Sequence, residues 1–256
     1  MRFLERRLGF VGFCSFLAFV SVWEAVTRGG WIEPLFLPAP SRVLQRAVLM
    51  YQDQNLVVHV LASARRVLVG FAIAAVAAVP LGILLGSSRL LRAAVDPLLS
   101  IIRPLPSMSW IPLSLLWLGI AESQKYSIVF MGSFAPSVLY VMEATRNIDP
   151  LFVRAARNLG ASRTAVLYEV VLPGALPSIL AGLKVMLGIA WTTVISAELV
   201  AAKTGLGFLI MNGKEYFLTE QVLLGMALIS ATVVCIDRTF TWVERRLIPW
   251  RVEATR

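Results

Sequence analysis

The chain is made largely of apolar runs about as long as a membrane is thick. A bilayer core takes about 20 apolar residues per helix. Six segments reach or approach that length: 8–27, 67–87, 104–121, 126–145, 177–198 and 221–243. The third is interrupted by Pro104, Pro106 and Pro112. Inside lipid no water satisfies backbone N–H and C=O groups, so each run must close its own hydrogen bonds as a helix. The expected fold class is an all-α polytopic membrane protein with six transmembrane helices. Composition agrees: 58% of the 256 residues are hydrophobic and 15% are charged, too little polar surface for a soluble domain.

Charge sets the direction. With the N-terminus in the cytoplasm, 16 of the 24 Lys and Arg residues fall on the inner side. Arg28, Arg42, Arg46, Arg65, Arg66, Lys125, Lys203 and Lys214 fall outside, although the outer loops are longer. The positive-inside rule then predicts a multi-pass membrane protein with both termini cytoplasmic. The longest outer stretch, 28–66, holds a turn at LPAPS (37–41) and a weakly amphipathic helix from Ser41 to about Tyr51. The net charge of +9 sits in loops flanking the spans, not on a basic helix with interleaved aromatics, so it does not point to nucleic acid. Cys14 and Cys235 lie inside apolar segments without metal spacing, and His59, the only histidine, has no ligand cluster near it. The basic N-terminal flank precedes no cleavage site, so the first run reads as a retained span.

The most organised polar segment is the loop 146–176, cytoplasmic in this orientation. Asp149 followed by Pro150 predicts a helix start. Phe152, Ala155, Ala156 and Leu159 fall at i, i+3, i+4 and i+7, one slim apolar face, with Arg154, Arg157 and Asn158 opposite. Gly160 fits a left-handed cap. Ser162 then caps a second helix, 163–171, and Pro173 and Pro177 aim the chain back into the membrane. The first helix either lies on lipid headgroups or docks in a groove on a partner. Small alanines and the helix–Gly–helix order favour docking.

AARNLGAS (155–162) followed by VVLPGALPSILAGL (170–183) resembles the coupling loop of importer permeases of the ATP-binding-cassette class. RPLPSMSWIPL (103–113), GIAWTTVISAELVAAKTGLGFLI (188–210) and DRTFTWVERRLIPWR (237–251) narrow the likeness to the nitrate, sulfonate, taurine and bicarbonate family. It spans residues 35–251, with taurine and sulfonate permeases nearest. One departure is Arg154, where the motif has an acid.

The resemblance implies a type I importer permease of MetI-like fold. Residues 1–34 would be an N-terminal tail and first span, 35–251 a core of five spans carrying the coupling loop, and 252–256 a C-terminal tail. It implies a homodimer, or a heterodimer with a sister permease, and two cytoplasmic ATPase subunits that bind ATP and Mg. A periplasmic or lipid-anchored binding protein would deliver substrate. Phe152, Arg154, Ala155, Ala156, Leu159 and Gly160 would couple to the ATPase. The substrate would be a small anion, taurine or another sulfonate, with nitrate, bicarbonate or a small aromatic or pyrimidine compound as alternatives.

Polar groups inside spans face a partner helix or an aqueous cavity. Ser107, Ser109, Trp110, Trp191, Thr192 and Ser196 are therefore expected along the substrate path, or else at ordinary helix contacts. Glu198, at the outer end of its span, is expected to reach headgroups or pair with Lys203 rather than to bind an anion. The loop KTGLGFLI (203–210) reads as a turn at the outer mouth rather than a phosphate cradle, and no GxxxxGK[ST] loop is present. A stand-alone carrier would show inverted repeats and buried ionisable groups. A membrane-anchored enzyme would need a nucleophile, metal or carboxylate set, none of which is found in the sequence.

Overall fold

The computed structural model describes residues 2–53 and 56–248, and among them every regular element is helical. The expected tail 252–256 lies outside the described residues. In chain order the helices are α1 (Arg2–Arg28), α2 (Pro40–Asp53), α3 (Leu56–Ser87), α4 (Arg89–Ile102), α5 (Ile111–Leu118) and α6 (Glu122–Arg146). They continue as α7 (Pro150–Asn158), α8 (Arg163–Ala165), α9 (Leu172–Ala201), α10 (Leu206–Glu215) and α11 (Thr219–Leu247). A 3-10 turn spans Ser107–Trp110, and a π turn, Val166–Val171, joins α8 to α9. Five segments are long and apolar enough to cross a membrane: Phe10–Arg28, Leu56–Ser87, Glu122–Arg146, Arg163–Ala201 and Thr219–Leu247.

The centre of the molecule is the α3–α6 pair. Gly70, Ala74, Ala78, Gly82 and Gly86 recur every four residues along α3, one ridge with no large side chain. Facing it on α6 is a ridge of Val129, Ser133, Ser137, Val141 and Thr145, also four apart and buried. A Cβ on Gly70 would come 2.6 Å from Val129 Cβ, and one on Gly82 would come 2.6 Å from Val141 Cβ. Small residues are what let two backbones approach this closely where no hydrophobic effect separates helix from lipid. Both series rise together, so α3 and α6 run parallel.

A parallel pair requires the chain to cross back between Ser87 and Glu122. The expected third span, 104–121, does not do this as one helix. Leu99 of α4 clusters with Ala78, Leu85, Ala135, Val138 and Met142 near one end of the pair. Ser107–Leu118 covers the other end of α6, with Ile111 against Ile128 and Ser114 accepting a 3.2 Å bond from the Gln124 amide. The break falls at Pro104 and Pro106, each of which lacks the N–H a continuous helix would use.

Other boundaries also shift. α3 begins at Leu56, eleven residues before the apolar run, so His59, Ser63, Arg65 and Arg66 belong to the helix rather than an outer loop. The separate helix expected over 163–171 is instead continuous with α9. The Leu172 N–H bonds to the Leu167 carbonyl five residues back, a wide turn placed just before Pro173, which has no N–H to give. Antiparallel α9 packs on α6, where Gly132 meets Thr193 and Gly182 meets Tyr140. The α10 helix turns back along the start of α11, and α2 lies across both. Arg46 of α2 bonds Gln221 at 2.6 Å, and Glu24 of α1 accepts from Ser41 at 2.7 and 3.0 Å. Most of α1 otherwise presents Phe10, Phe13, Phe16 and Phe19 outward, as lipid contact requires.

Candidate functional site

Two ends of the bundle carry concentrated polar chemistry. At the end where α6 finishes, Asp149 accepts a 2.8 Å bond from the Leu151 N–H, and Pro150 opens α7. At its other terminus the Gly160 N–H reaches the Arg157 carbonyl and the Ala161 N–H reaches the Ala156 carbonyl, both at 3.0 Å. This pair of bonds needs a left-handed residue between them, and Gly160 has φ +88°. Ser162 caps the next turn by accepting from the Ala165 N–H at 3.2 Å.

The result is a short helix, closed at both ends, whose apolar face has no cover among the described residues. Phe152 is 61% exposed and Leu159 89%, with Ala155 exposed between them; Ala156 at the edge is half-buried. Arg154 is turned away from that face. With Arg157 it lines a cleft of about 720 Å3 whose walls also include Arg89, Arg92, Arg146 and Arg163.

At the opposite end lies a buried ion-pair knot. Arg66 is 2% exposed and Glu198 is 1% exposed. Arg66 donates to Glu198 at 2.7 Å, to Glu122 at 2.5 and 2.8 Å and to the Thr204 carbonyl at 2.6 Å. Ser63 bonds the Glu198 carboxylate at 2.8 Å. The loop of residues 202–205 closes over this pair. Gly205 N–H donates to His59 Nδ1 at 3.1 Å, Leu206 N–H to Ser63 Oγ at 2.8 Å and Gly207 N–H to Glu198 at 2.8 Å. Gly205 has φ +123°, and any side chain there would overlap the Glu198 carboxylate. Burying a charge is tolerated when the partner and the remaining lone pairs are satisfied, and here they are.

Glu198 thus pairs with Arg66, not with Lys203. The two are 132 residues apart in sequence, and the apolar-run reading of α3 hides the partnership by leaving Arg66 in a loop. A carboxylate at the end of one span and an arginine just before another are the signal that could have suggested it. The amides of Gly205, Leu206 and Gly207 are already committed within the chain and do not form a phosphate cradle. A cleft of about 500 Å3 opens beside the knot, bordered by Glu122, Lys125 and Lys203.

The expected path residues do not converge. Ser107 is half-buried and sits near Gly132 and Thr193. Ser109 is exposed and Trp110 half-buried. Trp191 packs in the main core, 3% exposed. Thr192 and Ser196 share the outward face of α9, where each hydroxyl donates to a carbonyl of its own helix, Ile189 at 2.7 Å and Thr192 at 2.9 Å.

Comparison with known proteins is decisive on family. The model of the binding-protein-dependent transport system inner membrane component matches residues 78–249. The taurine transport system permease protein TauC of Escherichia coli (strain K12) is 36% identical over 239 residues, covering 91% of this chain and 87% of that one. The nitrate import permease protein NrtB of Synechocystis sp. is 27% identical, covering 89% and 85%. Among solved structures, the inward-facing MetNI methionine transporter shares the fold with a TM-score of 0.62 at 21% identity, covering 77% of this chain and 96% of that one. The chain belongs to the binding-protein-dependent transport system inner membrane component family, the multi-pass permease subunits of ATP-binding-cassette transporters.

Proposed function

We propose that this chain is the translocation subunit of an importer for a small oxyanion of the taurine, sulfonate or nitrate type, with taurine or another sulfonate preferred. The substrate reading is supported by 36% identity to a taurine permease and 33% to an aliphatic sulfonate permease of Escherichia coli, against 27% to a nitrate permease. The coupling reading is carried by one observation: α7 holds an apolar face, Phe152–Ala155–Leu159, that none of the described residues covers.

In this reading α7 seats in a groove on a cytoplasmic ATPase, with Ala156 and Gly160 keeping the contact slim. The permease does no chemistry. Its ATPase partners bind ATP and Mg, two permease copies (or one and a sister chain) form the pore, and a binding protein delivers substrate at the Arg66 end. Each nucleotide state must bind one permease conformation better than the other, because a partner shifts an equilibrium only by its differential affinity. The α7 helix follows α6 after three residues and packs against the π turn that leads into α9, so movement of its groove would reach both spans. Ser107, Ser109, Trp110, Thr192 and Ser196 remain path candidates in the assembled pore. Trp191 would act from behind, by packing. The excess of arginine at the α7 end supports a cytoplasmic placement for that end and for both termini.

Uptake of labelled taurine and of labelled nitrate, compared in cells with and without the chain, tests the substrate. Loss of taurine uptake alone is the expected result. Loss of nitrate uptake alone assigns the inorganic-anion branch, and loss of neither removes both.

A further inference from the structure

We propose that the arginine-lined cleft behind α7 binds the phosphate headgroup of an anionic phospholipid. The inference goes beyond transport and does not depend on the substrate. Six arginines line the cleft: Arg89, Arg92, Arg146, Arg154, Arg157 and Arg163, brought together from α4, α6, α7 and α8. Among the described residues, no Asp or Glu lines it. Arg146 has a carboxylate partner outside, Glu143 at 3.2 Å. Arg92 donates to the Leu85 and Gly86 carbonyls at 3.2 and 3.4 Å, which fixes it against the end of α3. Arg89, Arg154, Arg157 and Arg163 have no acidic partner among the described residues. Like charges gathered around one cavity repel, and a multidentate oxyanion between them turns that repulsion into charge-assisted hydrogen bonds.

Position selects the source of the anion. The walls include the last turns of α3 (Gly86, Ser87) and α6 (Thr145, Arg146), so the cleft stands where membrane spans end, at headgroup depth. Its floor is apolar, with Ile148, Val153, Val166 and Leu167, a surface that suits the glycerol and upper acyl portion of a lipid and gives nothing to a free anion. About 720 Å3 is room for a phosphodiester and its polar head. The cleft also lies on the opposite side of α7 from Phe152 and Leu159, so occupation by lipid leaves the proposed docking face free. A bound headgroup would offset part of the positive charge of Arg154 and Arg157 and brace α7 against α4.

The test uses the full-length chain purified in detergent from bacterial membranes, with retained phospholipid quantified by mass spectrometry. Phosphatidylglycerol should be enriched over phosphatidylethanolamine. R89Q and R163Q should each lower that enrichment roughly fivefold, the effect of one basic residue at an anionic surface. R42Q, at the other end, should not lower it. R89K/R163K should keep most of the enrichment, which separates loss of charge from loss of fold. Unchanged enrichment in R89Q/R163Q overturns the proposal. So does stabilisation of the wild-type chain, but not of R89Q/R163Q, by inorganic phosphate with no phosphatidylglycerol retained, which would assign a soluble anion. Loss of ATPase co-purification in R89Q/R163Q with lipid unchanged would also overturn it, by assigning the cleft to the protein partner. None of these readouts measures transport, so their failure is distinct from failure of the importer assignment.

Discussion

The two ends of the α3–α6 pair treat arginine in opposite ways. At one end Arg66 is sealed from solvent, and its guanidinium is divided between two carboxylates and a backbone carbonyl. At the other, six arginines surround an open cleft that no acidic side chain among the described residues lines. The first arrangement is complete within one chain. The second is incomplete, and so is the apolar face of α7 beside it. A self-satisfied knot holds a structure together, whereas unsatisfied charge and uncovered apolar surface mark the places where other molecules bind. The comparison assigns stability to the Arg66 end and partnership to the α7 end.

That contrast can be broken by substitutions graded by their effect on folding. The largest is expected at the knot. Glu198→Ala leaves Arg66 buried with one of its two carboxylate partners and should cost about 3–5 kcal/mol, read as loss of folded protein in a detergent unfolding series. Replacing Arg66 and Glu198 together by leucine should recover most of that loss, because no lone charge is left buried. Recovery absent in the double variant would mean that the hydrogen bonds to Gly207 and Thr204, rather than the charge pair, carry the stability.

Next in size is the helix ridge. Gly82→Val forces a side chain into Val141 and should cost about 1–3 kcal/mol, with the same unfolding series as the measure. Equal stability would show that α3 and α6 separate easily. A smaller effect belongs to Asp149→Ala, which removes the cap from α7 and should cost that helix about 1 kcal/mol. Faster amide exchange confined to residues 150–158 would register it, without change in the core.

How much of this was legible in the sequence follows the range of the interactions. The α7 helix, its Asp149–Pro150 start and its Gly160 end are local features, and each lies within a turn of the residues that cause it. The apolar runs located all five long spans, because hydropathy is a property of consecutive residues. Their ends were less visible: polar residues extend α3 back to Leu56 and join 163–171 to α9, since a helix continues wherever its backbone bonds can close. The proline-broken crossing between α3 and α6 was only half legible. Pro104, Pro106 and Pro112 announced an interruption, but the share taken by α4 depends on packing against α6. The Arg66–Glu198 pair was invisible to a reading of neighbours. The four-residue recurrence of Gly70, Ala74, Ala78, Gly82 and Gly86 was in plain view, but its meaning depends on the α6 ridge that it faces.

The smallest effect on folding is expected at α7's uncovered face, and there the account is most exposed. Leu159 is 89% exposed, so Leu159→Asp should leave stability within about 0.5 kcal/mol of the parent chain. The direct test is to express this variant and the parent with their ATPase partner and measure co-purification and substrate uptake together. The account predicts a normally inserted, normally stable permease that no longer retains the ATPase and no longer imports. Full ATPase retention with full uptake would contradict it, and would return α7 to the role of a helix that merely rests on the membrane surface.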